Sequence, residues 1–96
     1  MLILVTYDVS TSTNGGERRL RQVAKECVNY GQRVQKSVFE CNLDPAQYKK
    51  LKAKLQELID NETDSIRFYN MGKSYQNKIE CIGVKRSYES EGFLEL

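Results

Sequence analysis

The opening ten residues, Met1-Leu-Ile-Leu-Val-Thr-Tyr-Asp-Val-Ser10, constrain this chain more than any other stretch. Five apolar residues in succession predict a β-strand covered on both faces, because a strand with one face in water shows a polar residue at every second position. The run delivers a single carboxylate, Asp8, where the strand leaves the core. A strand end that opens into a polar loop is a usual place for a functional site. On local sequence alone, Asp8 could equally cap its own loop by accepting a backbone N–H two residues on.

The remaining segments are read by how they bury that strand. Ser10-Thr-Ser-Thr-Asn-Gly-Gly16 is a polar, glycine-containing loop without the GxxxxGK[ST] spacing of a Walker loop. Asn14 followed by Glu17 fits a variant of the capping box and predicts a helix start at Gly15. Leu20, Val23, Ala24, Cys27 and Val28 then fall on one helical stripe, with Gly31 as a left-handed stop. Arg33 to Cys41 is rich in β-formers and is read as one second strand. Asp44-Pro45 starts a second helix whose buried face carries Tyr48, Leu51, Leu55, Leu58 and Ile59. Its other side carries Lys49, Lys50, Lys52 and Lys54, a solvated face with i,i+4 pairing that could also add nonspecific attraction for DNA.

The cluster Asn61 to Asp64 ends that helix. Ser65 to Asn70 alternates as a third strand, Met71 to Asn77 is a loop, and Ile79 to Val84 is a short fourth strand. Together these predict an α+β, ferredoxin-like β-α-β-β-α-β domain over residues 1–84, with two helices on one face of a four-stranded antiparallel sheet. A first strand that is apolar on both sides cannot leave the second face in water, so a second copy around a twofold axis is expected to cover it. The tail, residues 85–96, ends in Gly92-Phe-Leu-Glu-Leu96 and is read as a strand exchanged in that homodimer.

Composition narrows the chemistry. No apolar run approaches ~18 residues and no leader is visible, so a soluble, unexported, cytoplasmic protein with no membrane partner is expected. Cys27, Cys41 and Cys81 are dispersed and odd in number, which suggests small buried apolar residues in a reducing compartment. Histidine is absent, which removes the commonest general base and favours oxygen ligands and a hard cation, Mg²⁺ or Mn²⁺. The net charge is only +2, but residues 1–54 hold ten Lys/Arg against five Asp/Glu while residues 55–96 hold five against eight. One face could therefore attract phosphate more strongly than the total suggests.

Arg18, Arg19 and Arg21 lie in the first turns of the first helix, where cations oppose the macrodipole, so phosphate contact is a more natural purpose for them than helix stability. Exposed helical arginine is nevertheless common. Tyr7 and Phe39 could flank a nucleotide, although an aromatic in a strand is usually core. Arg33 could point at the same surface or simply deter wrong pairing at a strand edge. A single Asp8 is a sparse Mg²⁺ site, and two copies meeting at a twofold axis would supply two carboxylates.

Leu4-Val-Thr-Tyr-Asp-Val9, Arg18-Arg-Leu-Arg21, Tyr30-Gly-Gln-Arg-Val-Gln-Lys-Ser-Val-Phe-Glu-Cys41 and Ser65-Ile-Arg-Phe-Tyr69 together resemble the CRISPR-associated protein 2 family of spacer acquisition, in the variety that accompanies type I-C systems. The resemblance implies a ferredoxin-like homodimer with facing sheets, a divalent metal near the paired Asp8 residues, and an active-site set of Tyr7, Asp8, Arg18 or Arg19, Arg33 and Phe39. It implies either a metal-dependent endonuclease acting on double-stranded DNA or single-stranded RNA, or a non-catalytic DNA-binding scaffold that bridges integrase subunits. A third class, a ligand-binding regulatory domain of similar fold, would show no salt-sensitive duplex affinity.

Overall fold

The computed structural model describes residues 1–73 and 79–83. Within them the chain runs β1 (Leu2–Asp8), α1 (Gly16–Val28), β2 (Gln32–Gln35), β3 (Val38–Asn42), α2 (Pro45–Leu58) and β4 (Ser65–Gly72). The sheet order is β2-β3-β1-β4 with every neighbouring pair antiparallel. This is the expected β-α-β-β-α-β arrangement, with one strand found elsewhere than the sequence suggested. Arg33 to Cys41 is not one strand but most of a hairpin that turns at Lys36 and Ser37, and it supplies both strands between the helices. Residues 79–83, read as most of a fourth strand, carry no strand, and that position in the sheet belongs to β4. Val84 and the tail of residues 85–96 lie outside the described residues.

Alternation along β1 divides the molecule into two sides. Ile3, Val5, Tyr7 and Val9 join Phe39 and Cys41 of β3, Val23 and Cys27 of α1, and Leu51 and Leu55 of α2 in one buried cluster. Both helices therefore cover the same face of the sheet, as residues two apart along a strand must share a face. Leu4, Thr6 and Asp8 alternate onto the other face. There they lie opposite Tyr69, Arg67 and Ser65 of β4, while Leu4 and Thr6 also lie opposite Glu40 and Val38 of β3. Neither helix covers this side: Leu4, Thr6, Val38 and Glu40 are half-buried, and Tyr69 is exposed.

The helix ends show why these segments form. At α2, an Asp44 carboxylate oxygen accepts from the Gln47 amide at 2.7 Å and the Gln47 side chain accepts from the Asp44 amide at 3.0 Å, a complete capping box followed by proline. At α1 the expected Asn14 cap is absent. Gly15, with φ of +80°, occupies the cap position, and the helix begins at Gly16. A Cβ on Gly16 would collide with the backbone of Ser10 and Thr11, so the loop can fold back closely only there. Gly31 is not a left-handed stop, since its φ is not positive. Its need for glycine is steric: a Cβ would strike the Glu40 carbonyl and Cys41.

Three smaller expectations change. Val28 completes the α1 stripe in sequence but lies 47% exposed at the helix end. Cys27 and Cys41 are buried as expected, whereas Cys81 is exposed. The α2 lysines are exposed without the anticipated pairing. None of Lys49, Lys50, Lys52 and Lys54 makes an ion pair among the described residues, and Lys52 instead places its ammonium 4.7 Å from the Tyr48 ring centre.

Candidate functional site

Asp8 closes β1 at its solvent end, directly across from Ser65, the first residue of β4. Its carboxylate is exposed on the face that the helices leave bare, and it forms no hydrogen bond or ion pair with the described residues. An open cleft of about 300 Å³ surrounds it, bordered by Thr6, Tyr7, Ser65, Arg67 and Tyr69. Arg67 lies across from Thr6 and donates to the Tyr69 hydroxyl at 3.4 Å. Sequence reasoning missed Arg67 and Tyr69, although their alternation with Ile66 and Phe68 already placed them on one side of a strand. The missing information was the register that sets β4 against β1.

Tyr7, Phe39 and Arg33 form a separate group under the helices. Adjacent strand residues point to opposite faces, so the Tyr7 ring and the Asp8 carboxylate cannot share one. Tyr7 packs on Phe39 with ring centres 6.2 Å apart at 26°, and the Arg33 guanidinium lies 5.2 Å from the Phe39 ring centre. The Tyr7 hydroxyl donates to the Lys36 carbonyl at 3.3 Å. Burial raises the Tyr7 phenol above its ordinary value, partly opposed by the Arg33 charge. The Arg33 Nε is itself buried without a hydrogen-bond partner, its charge facing the aromatic ring. This group fits a packed column of the core rather than a surface that meets a nucleotide.

The helix-one arginines divide as well. Arg18 and Arg21 are exposed and border a second open cleft of about 340 Å³ with Thr11, Thr13 and the Gly15-Gly16 turn. Arg19 turns inward. Its Nε donates to Asp64 Oδ2 at 2.8 Å, its Nη1 to the Asn14 carbonyl at 3.0 Å, and its Nη2 to Thr13 Oγ1 at 2.8 Å. The Asp64 side chain is fully buried and also accepts the amides of Ser10 at 3.0 Å and Asp60 at 2.9 Å, together with the Thr63 hydroxyl at 3.0 Å. Arg19 beside it, aided by these donors, holds the Asp64 carboxyl well below the usual carboxylate range despite burial. In sequence Asp64 read only as part of a helix-ending cluster, since nothing local announces a partner 45 residues away.

Among the described residues no three His, Cys, Asp or Glu side chains cluster to hold an ion. Asp8 has the chemistry to take a hard cation. It is an exposed oxygen donor with no competing internal partner, and Mg²⁺ commonly takes one or two carboxylates and completes its shell with waters or phosphate oxygens.

A family model described as CRISPR associated protein Cas2 matches residues 1–79, and with them every element of the sheet and both helices. The chain belongs to the Cas2 family. A Chlorobaculum tepidum protein named CRISPR-associated endoribonuclease Cas2 is 56% identical over 96 residues, covering 100% of both chains. A Halalkalibacterium halodurans protein named CRISPR-associated endonuclease Cas2 is 57% identical over 91 residues, covering 95% of each. Among solved structures, Streptococcus pyogenes Cas2 at pH 6.5 superposes with a TM-score of 0.77 at 57% identity, covering 86% of this chain and 100% of its own. A hypothetical protein from Thermus thermophilus gives 0.74 at 32% identity, covering 88% and 93%. Cas2 membership accounts for the topology and agrees with the resemblance in the opening strand and the hairpin. Among the described residues no helix is long and apolar enough to cross a membrane.

Proposed function

We propose that this Cas2-family chain acts in CRISPR adaptation as a Mg²⁺-dependent endonuclease that cleaves phosphodiester bonds of nucleic acid, with the site completed by a second copy. The observation that carries this reading is an exposed, unbonded Asp8 at the edge of a sheet face that neither helix covers. That face is half apolar, with Leu4, Val38 and Tyr69 on it, and suits a twofold partner better than water. Two copies facing each other would bring two Asp8 carboxylates toward one axis, the number of carboxylates that a Mg²⁺ or Mn²⁺ site commonly uses.

When bound, such an ion supplies Lewis acidity at a phosphate oxygen and a more acidic water. The chain's own residues supply the rest. Asp8 provides the anionic oxygens that hold the ion, and Arg67 offers a cation on the same face for the phosphate charge. Arg18 and Arg21 hold the flanking backbone through charge-assisted hydrogen bonds. The names of the relatives support hydrolysis of RNA or of another nucleic acid, endoribonuclease in one and endonuclease in the other.

A second reading rests on its own observation. With one carboxylate per chain and the Tyr7–Arg33–Phe39 column packed under the helices, the chain could serve as a dimeric DNA-binding scaffold that bridges integrase subunits. Asp8→Asn separates the two. The nuclease reading expects Mg²⁺-dependent cleavage of duplex DNA or single-stranded RNA to fall at least ~100-fold while oligonucleotide affinity holds, since one Mg²⁺ ligand per subunit is lost. Cleavage equal to wild type removes Asp8 from catalysis. Lost cleavage with intact spacer acquisition in cells leaves the scaffold as the physiological role.

A further inference from the structure

The segment Val9 to Gly15 is the covalent link between Asp8 and the Arg18–Arg21 cleft. Its polar, glycine-ended sequence has no hydrophobic anchor after Val9, and a free loop of this kind would sample many conformations. It is instead tied at four points. The Ser10 amide donates to Asp64 Oδ1 at 3.0 Å, and the Thr13 hydroxyl donates to the Ser10 carbonyl at 3.1 Å. Arg19 then takes the Thr13 hydroxyl at 2.8 Å and the Asn14 carbonyl at 3.0 Å. The ties from Arg19 and the Ser10 amide meet at the Arg19–Asp64 ion pair.

That pair also reaches the strand beside Asp8. Asp64 directly precedes Ser65, whose Cα partner across the sheet is Asp8, while Ser10 lies two residues beyond Asp8 on β1's own chain. One buried carboxylate thus bonds the segment leaving Asp8 and belongs to the segment entering the strand opposite it. Arg19 directs all three guanidinium nitrogens at internal acceptors, whereas Arg18 and Arg21 on the same helix remain exposed.

We propose that Arg19 and Asp64 form a positioning pair that holds the Ser10–Asn14 loop, and through it sets Asp8 against the Arg18–Arg21 cleft, with Arg19 making no contact to nucleic acid. The proposal rests on reading Asp8 as the carboxylate of the reacting site. It departs from the expectation that any arginine in the first turns of α1 meets phosphate. Burial of Asp64, and the internal acceptor that each Arg19 guanidinium nitrogen reaches, make the pair a brace.

The test uses the full chain with Mg²⁺, a labelled DNA duplex and a labelled single-stranded RNA. In binding titrations on the duplex across salt concentration, Arg18→Gln should reduce the steepness of the log–log dependence by about 0.9, the amount expected for one lost phosphate contact. Arg19→Gln and Asp64→Asn should leave it unchanged. In cleavage, both should lower kcat tenfold or more with KM within about twofold, the signature of lost transition-state geometry with binding retained. Thr63→Val, which removes one peripheral bond to Asp64, should lower kcat in the same direction by less, and serves if the other variants fold poorly.

A reduced salt slope in Arg19→Gln would overturn the proposal, because Arg19 would then be a phosphate ligand. Unchanged kcat in folded Asp64→Asn would overturn it too, since a purely structural pair affects stability alone. Amide hydrogen exchange judges the brace apart from catalysis. Faster exchange at Ser10 in Asp64→Asn, with exchange at Leu51 unchanged, supports it, and unchanged exchange at Ser10 contradicts it. If Asp8→Asn cleaves like wild type, the nuclease reading fails on that result alone, while the exchange measurement still decides whether the loop is held by this pair.

Discussion

Asp64 is a residue whose ionisation is tied to the fold. Its carboxyl is held low, first by the Arg19 hydrogen bond and then by the Asp60 and Ser10 amides and the Thr63 hydroxyl, against the opposing effect of burial. A carboxylate whose folded pKa lies below its unfolded value, about 3.9 for Asp, contributes stability that is complete above that value and lost as pH falls toward the folded one. The difference in urea stability between wild type and Asp64→Asn should therefore be constant between roughly pH 5 and 7 and shrink toward roughly pH 3. A difference that widened on acidification would contradict the assignment. The thiols offer a second check. Burial pushes Cys27 up to about 12 and Cys41 up to about 11, whereas Cys81 is exposed. At about pH 8 a thiol reagent should label Cys81 in the native protein, and Cys27 and Cys41 only after denaturation. The sequence allowed all three to be buried, because cysteine is small and apolar whichever environment receives it.

At the scale of elements, the two turns into α2 and β2 carry separable costs. Asp44→Ala removes the α2 cap and should cost about 1 kcal/mol by urea denaturation. Gly31→Ala places a methyl group against the Glu40 carbonyl and Cys41, and should cost roughly 1–3 kcal/mol with the cleavage chemistry unaffected once folded. The α2 start was legible because aspartate, proline and the helical stripe coincide. The β2–β3 hairpin was not. Its turn at Lys36 and Ser37 contains none of the glycine, asparagine or proline that mark a reversal, and a nine-residue β-rich run reads more simply as one strand. The site was legible to the same extent. Asp8 follows from the strand end, but the full residue set required strand parity to be applied. Tyr7 and Asp8 are neighbours in sequence and so must point apart, and Arg67 joins Asp8 only through the β1–β4 register.

For the whole molecule, the decisive quantity is whether the sheet face that neither described helix covers binds a second copy. Leu4→Glu puts a charge at the middle of that face, away from the helix-side core. The expected outcome is a monomer by sedimentation, with a circular dichroism spectrum like that of wild type and Asp8-dependent cleavage reduced to the level of Asp8→Asn. A Leu4→Glu protein that still sediments as a dimer would place the interface elsewhere and leave each Asp8 to act alone. The lysines of α2 lie on the helix side, remote from this face in topology. Removing Lys49 and Lys50 should therefore change the salt dependence of nucleic-acid binding without changing the association state.

The adjacency of Tyr7 and Asp8 also bears on how the chain avoids misfolding. Slipping β1 by one residue would exchange their sides, turning the aromatic ring into water and driving the carboxylate in beside Phe39 and Cys41. An unpaired buried carboxylate costs several kcal/mol, far more than the small differences that usually separate neighbouring registers of an apolar strand. The run Leu2 to Val5 carries no polar residue to fix its own alignment, so the acid at its end performs that task. Replacing Asp8 with an apolar residue of similar size would thus do more than remove a charge from a cleft. It would erase the mark by which the central strand finds its place between β3 and β4.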